Sequence, residues 1–141
     1  MSILIIFGTV SGTTEYVATI IQRYLNEIGN QTDLYNVFGS TQPSFTKYDT
    51  LLFGAPTYDE GLEPSMMEFI SQNTINLSKY KVAVFGLGDK IYPEFCTSVE
   101  ILEKWIIKSS GKLSVLSLKI DGYPTETESI GRWVKQLINI I

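Results

Sequence analysis

Apolar residues run unbroken through Ile3-Leu4-Ile5-Ile6-Phe7 and stop at Gly8, the pattern of a strand buried on both faces. Val17, Ile20, Ile21, Tyr24, Leu25 and Ile28 then recur at helical spacing until Gly29 and Asn30 halt them. Gln31 to Val37 is a weaker, more polar stretch that reads as a strand at a sheet edge. Thr50-Leu51-Leu52-Phe53-Gly54 predicts a third strand, closed by Pro56, and Pro64 opens a helix over about Ser65 to Gln72, since proline suits a first helical turn. Lys81-Val82-Ala83-Val84-Phe85-Gly86 predicts a fourth strand, and Phe95, Val99, Leu102 and Ile106 mark a helix ending near Gly111. Leu113 to Ile120 alternates with a slip and predicts a fifth, less buried strand. Ile130, Trp133, Val134, Leu137, Ile138 and Ile141 give the clearest helical stripe. Between the second and third strands, Phe38-Gly39-Ser40-Thr41-Gln42-Pro43-Ser44 is too polar and broken for a full helix, so that crossover is short and partly irregular.

Five strands separated by helices predict an α/β fold: a three-layer, doubly wound parallel sheet with helices on both faces. Right-handed crossovers leave few topologies open. With 141 residues, no repeat and no linker, a single domain over residues 1–141 is expected. The chain is 44% hydrophobic and 18% charged, enough to build a core. Net charge −4 with no Lys/Arg cluster argues against nucleic-acid binding. The chain has no histidine, which removes Ser-His and Cys-His catalysis and His-ligated metals; its one cysteine, Cys96, removes an internal disulfide and a Cys-rich metal site. A borrowed cofactor is then an open route to chemistry. No run reaches the roughly 20 apolar residues of a membrane span, and no targeting segment is visible, so a soluble, cytoplasmic protein without a membrane partner is expected.

In open parallel sheets, ligands sit beyond the carboxyl ends of the strands, where strand order reverses. Three loops there are unusual. Gly8-Thr9-Val10-Ser11-Gly12-Thr13-Thr14-Glu15 joins a buried strand to a helix start. Its hydroxyls and the unpaired N–H groups of the helix make a phosphate cradle of neutral donors, or else ordinary helix caps. It lacks the spacing and lysine of a P-loop. Gly54-Ala55-Pro56-Thr57-Tyr58-Asp59-Glu60-Gly61 carries Tyr58, either an aromatic wall for a planar ring or a turn residue packed sideways. Gly86-Leu87-Gly88-Asp89-Lys90-Ile91-Tyr92 carries a second tyrosine, or is a plain glycine-rich connection; Ile91 stands where a dinucleotide fingerprint needs its third glycine. Cys96 reads as packed rather than reactive, with no basic partner to lower its pKa. Together, a phosphate loop and two aromatic loops suit a phosphorylated, flat, aromatic cofactor.

At these residues the chain resembles the flavodoxins, over nearly its whole length and in their short-chain form. The first loop is similar to the family's phosphate loop; Tyr48-Asp49 and Leu51-Leu52-Phe53-Gly54 resemble its third strand and approach. Pro56-Thr57-Tyr58 is similar to its Thr-Trp pair with Tyr for Trp, and Gly86-Leu87-Gly88-Asp89, Tyr92 and Phe95-Cys96 resemble its third loop. The resemblance implies strand order 2-1-3-4-5 with flavin mononucleotide (FMN) at the switch point, for which flavodoxin is the standard example. It assigns cofactor contacts to Thr9, Val10, Ser11, Gly12, Thr13 and Thr14, to Pro56, Thr57, Tyr58, Asp59, Glu60 and Gly61, and to Leu87, Gly88, Asp89, Tyr92 and Phe95. Tyr58 offers less stacking area than Trp, and Asp59-Glu60 stand where the family often has Gly or Asn near the flavin N5.

The implied function is low-potential electron transfer by a monomeric carrier with no substrate of its own. Its partners would be an NAD(P)H-dependent flavodoxin reductase and an acceptor enzyme, met through an acidic face of Asp59, Glu60, Glu63 and Glu68. Asp59, Glu60, Glu63 and Asp89 would disfavour the anionic reduced flavin. Flavodoxin-like FMN proteins with a dedicated partner, of the ribonucleotide-reductase-activator or biotin-pathway kind, share these features. A phospho-receiver domain would need acids where Gly8-Thr9 and Gly54-Ala55 stand and a Lys where Asp121-Gly122 stands. A cofactor-free interaction domain of the same fold would bind no flavin.

Overall fold

The computed structural model describes residues 2–58, 61–93, 95–124 and 127–140; Asp59, Glu60 and Ile141 therefore lie outside the described residues. Strand β1 (Ser2–Phe7) leads into α1 (Thr13–Glu27) and β2 (Gln31–Asn36). Strand β3 (Thr50–Tyr58) turns back through a short β4 (Gly61–Leu62) into α2 (Pro64–Gln72). Strand β5 (Lys81–Gly88), α3 (Thr97–Lys108), β6 (Leu118–Asp121) and α4 (Glu128–Ile140) complete the chain. The sheet order is β2-β1-β3-β5-β6, all parallel, with β4 antiparallel on β3. Once the hairpin strand is counted, this is the expected 2-1-3-4-5 order.

The continuous apolar runs form strands because both faces of the sheet are covered. Ile3, Ile5, Phe7, Leu52 and Phe85 point to one side, packing with Val17, Ile21 and Leu25 of α1 and with Ile130, Val134 and Leu137 of α4. Leu4, Ile6, Leu51, Phe53 and Val84 point to the other, against Met66 and Phe69 of α2 and Val99, Leu102 and Ile106 of α3. The period-two alternation of a strand thus splits each run between two cores.

Two details depart from the sequence reading. Strand β3 does not close at Pro56 but pairs with β5 as far as Pro56↔Leu87 and ends at Tyr58. Strand β1 pairs with β3 only as far as Gly54 and β4 takes up pairing only at Thr57, so at Pro56 β3 has β5 alone beside it and tolerates a residue with no N–H. The fifth strand is interrupted: Leu113 bridges Val82, and regular pairing resumes only at Leu118. The break falls at the slip in alternation, where Leu116 is exposed. The crossover after β2 is irregular, as its polarity indicated, with one 3₁₀ turn at Phe45–Lys47. Behind that turn, the Tyr48 hydroxyl donates to Asp33 Oδ2 at 2.7 Å. Burial, then this hydrogen bond and the Asp33 charge, push the Tyr48 phenol up to about 12.

Gly54 sits opposite Phe85 in the β3–β5 ladder, and the Phe85 ring occupies the space a Cβ would need. Gly54→Ala is expected to lower unfolding free energy by about 2 kcal/mol or more, as over-packing does. Urea unfolding checks this, and a wild-type midpoint would contradict it.

Candidate functional site

Four loops meet at the carboxyl edge of the sheet. The first begins where the Gly8 N–H donates to the Gly54 carbonyl at 3.1 Å. Thr9 Oγ1 accepts the Gly12 N–H at 2.9 Å and curls the chain back. Gly12 then takes φ 90° and serves as the N-cap of α1 with no side-chain cap bond, a conformation that costs glycine little. The capping explanation for the Ser/Thr cluster therefore fails. Ser11 and Thr13 hydroxyls lie 3.3 Å from each other, and the first N–H groups of α1 have no helical carbonyl to reach. Thr14 is 1% exposed, and its hydroxyl has no hydrogen-bond partner among the described residues.

The second loop is the end of β3. Thr57 Oγ1 donates to Ser98 Oγ at 3.1 Å and accepts the Ser98 N–H at 3.2 Å, while Ser98 Oγ donates to the Ala55 carbonyl at 3.1 Å. These bonds fasten the loop to the start of α3 and leave Tyr58 exposed beside it. In the third loop, Asp89 accepts the Ile91 N–H at 3.0 Å and its carbonyl accepts the Tyr92 N–H at 3.1 Å. Gly88 has no room for a Cβ, which would lie 2.7 Å from the Cys96 nitrogen. Cys96 is buried and its thiol donates toward the Ile120 carbonyl at 3.8 Å. Burial pushes that thiol up to about 11 against smaller opposing effects, as expected for a packed rather than reactive cysteine.

The cleft between these loops encloses about 490 Å³, within the size range of small-molecule sites. Ser11, Thr13, Pro56, Thr57, Tyr58, Leu87, Gly88, Asp89 and Tyr92 line it, each of them singled out from the sequence. Thr9, Val10, Gly12 and Thr14 belong to the first loop and the first turn of α1, Gly61 to β4, and none of them lines the cleft. Phe95 packs with the α2–α3 core, with Lys90 Nζ 5.6 Å from its ring centroid. The lining also includes Gly122 and Tyr123, from a fourth loop after β6 that the sequence reading passed over. The signal was available: Asp121-Gly122 is a turn pair at the end of an apolar strand, the same context as the other three loops.

Among the described residues, no Lys or Arg lines the cleft. It offers hydroxyls at the α1 end, three tyrosines (Tyr58, Tyr92 and Tyr123), and apolar surface from Pro56 and Leu87. That combination can hold a phosphorylated planar ring. The flavodoxin family model matches residues 5–133. The chain belongs to the flavodoxin family. It is 31% identical to a probable flavodoxin 2 of Bacillus subtilis (strain 168), over 97% of this chain and 89% of that one. It is 33% identical to a flavodoxin of Maridesulfovibrio salexigens, over 92% of each chain. The crystal structure of oxidised flavodoxin 2 from Bacillus cereus superposes with a TM-score of 0.90 at 28% identity, over 100% of both chains. The family resemblance read from the loops is thus confirmed, with FMN as the family's cofactor and electron transfer as its role. Among the described residues, no helix is long and apolar enough to cross a membrane.

One expected feature of this flavodoxin is corrected. Glu63 is not part of an exposed acidic face; it is 5% exposed. It is the N-cap of α2, accepting the Ser65 and Met66 N–H groups at 3.0 Å each and the Ser65 hydroxyl at 2.6 Å. It also packs against Gly8, where a Cβ would collide with its carboxylate. Glu68 of α2 is exposed, as expected, and Asp59 and Glu60 lie outside the described residues. Glu63→Ala is expected to destabilise the fold by about 1 kcal/mol through the lost cap. Thermal unfolding reads the change; an unaltered melting temperature would count against the capping role.

Proposed function

We propose that this flavodoxin carries single electrons on FMN held in the cleft, between an NAD(P)H-dependent reductase and an acceptor enzyme, as a monomeric single domain in the cytoplasm. The observation that carries the reading is the group of neutral hydroxyls at the amino end of α1: Ser11 and Thr13 line the cleft, and Thr14 in the first turn is buried with its hydroxyl unpartnered among the described residues. A buried hydroxyl with no acceptor or donor costs about 1–3 kcal/mol, so it is expected to have a partner in the working state. A phosphate at the amino end of α1 supplies one. The N–H groups of that turn and the hydroxyls of Ser11 and Thr13 complete a cradle of neutral donors.

When bound, FMN would supply the one-electron chemistry. Tyr58 and Tyr92 offer ring faces to the flavin, each worth on the order of 1 kcal/mol beyond buried area. Pro56 and Leu87 exclude water from it. Asp89 stands at the lining with no cation beside it among the lining residues. Its charge disfavours further negative charge on the cofactor and so biases the site toward donating electrons. Asp59, Glu60 and Glu68 remain the proposed acidic contacts for redox partners, and Glu63 does not.

Titration of the apoprotein with FMN and riboflavin, followed by flavin fluorescence, tests the reading. Thr14→Val is expected to weaken FMN by about ten- to a hundredfold, as loss of a charge-assisted hydrogen bond does. Riboflavin affinity should not change. The apoprotein's melting temperature should hold or rise, because the substitution removes an unpaired buried hydroxyl. Equal losses for both flavins, or a wild-type apoprotein that binds no FMN, would overturn the reading. A second consequence follows from charge. With net charge −4 and no cationic lining, added potassium chloride screens repulsion rather than attraction. FMN affinity should therefore hold or tighten as ionic strength rises, and a steep weakening would point to a lysine or arginine contact.

A further inference from the structure

Tyr123 lines the cleft although it lies on none of the three loops read from the sequence. It is 60% exposed, and so would rotate freely if nothing held it. Something does: its ring stacks on that of Tyr16, 38% exposed, at 5.3 Å between centroids and 11° between planes. Tyr16 belongs to the start of α1, its N–H donating to the Gly12 carbonyl at 3.0 Å. The Tyr123 ring is therefore tied beside the first turn of α1, where Ser11 and Thr13 face the same cleft. Its backbone is tied to the third loop. The Gly122 N–H donates to the Gly88 carbonyl at 2.7 Å, and Asp121 Oδ1 accepts the Lys90 N–H at 2.9 Å. Gly122 takes φ 66°, which turns the chain from β6 toward α1. Tyr123 thus bridges the first and third loops on the side of the sheet covered by α1 and α4.

We propose that Tyr123 is a fourth wall of the cofactor site, closing it around the phosphate-bearing end of the ligand, and that Tyr16 is the residue that positions it. The proposal rests on the FMN reading above. A stack that merely stapled the entry of α4 to α1 would not need to line the cleft, yet Gly122 and Tyr123 both do. A ring at this point excludes water from the contact between anion and helix amino end. Dipole interactions strengthen as local polarity falls. The wall is uncharged, in keeping with a lining that holds the anion without a cation.

The test is a double-mutant cycle on the apoprotein, titrated with FMN and with riboflavin, with urea unfolding of each variant alongside. Tyr123→Ala is expected to weaken FMN about tenfold and riboflavin less than about twofold, while Tyr123→Phe binds like wild type. Tyr16→Ala is expected to weaken FMN about three- to fivefold. Because Tyr16 acts through Tyr123, the double variant should bind FMN no more weakly than Tyr123→Ala alone. A structural staple would lower the urea midpoint and leave the FMN-to-riboflavin affinity ratio unmoved; that result overturns the proposal, as do additive losses or wild-type FMN binding by Tyr123→Ala. A wild-type apoprotein that binds no FMN would instead sink the reading on which the proposal rests.

Discussion

Everything at the site depends on β1 being paired on both sides by parallel strands. Residues 2–7 register against 31–36 on one flank, and residues 3–7 against 50–54 on the other. The chain leaving β1 enters α1 on one face of the sheet, and the chain leaving β3 enters α2 on the opposite face. Two neighbouring strands thus send their connections in opposite directions, and a crevice must open between them. The amino end of α1 lies at that crevice by construction. The ladder hydrogen bonds and the apolar packing of Ile3 to Phe7 are therefore what aims backbone N–H groups at a ligand.

Holding an anion there without a cation has a consequence for stability. The donors must be present before the ligand is, so part of the polar surface stays unsatisfied in the empty protein. Thr14 shows this most plainly, because its hydroxyl is buried with no partner among the described residues. In the rest of the loop, Thr9 is used to hold the Gly12 N–H, while among the described residues the Ser11 and Thr13 hydroxyls bond only to each other. Gly12, rather than Ser11 or Thr13, caps α1, and its positive φ lets it do so without a side chain. A lysine would bind a phosphate more strongly but would also attract negative charge to the flavin. On the proposed reading, neutral donors would fix the phosphate and leave the electrostatics of the ring to the carboxylates.

The central strands, the three core-facing helix stripes and the three principal loops were legible because burial on both faces leaves an unbroken apolar run, and because strand order puts function at one edge. What was missed has physical reasons. Glu63 looked like one member of an acidic run, yet Pro64 follows it directly, and proline at the first helical position puts the preceding residue at the N-cap. A carboxylate there is drawn inward by two N–H groups rather than outward by water. Strand β3 runs past Pro56 because a strand with one neighbour does not need every N–H. The fourth loop escaped notice because β6 is short and broken, so its carboxyl end did not look like part of the same edge. Its role comes from contacts distant in sequence, Tyr16 with Tyr123 and Gly88 with Gly122, and local pattern carries no trace of these.

The four loops are not independent walls. Glu63 against Gly8 joins the second loop to the first, Thr57 with Ser98 joins the second to α3, and Asp121 with Lys90 joins the fourth to the third. Each tie consumes a polar side chain, and none of these consumes Ser11, Thr13 or Thr14. The site thereby divides its polar groups into those that hold protein to protein and those left for a ligand. A cleft built this way loses little conformational entropy when it is filled, since its loops are already fixed. The division also places charge. Asp89 and Asp121 are each positioned by a backbone N–H they accept, so the same two carboxylates that stiffen the third loop sit at fixed positions near the lining. Loop rigidity and a negative local potential then have one origin, and a flavodoxin that loosened these loops would lose part of its electrostatic bias with them.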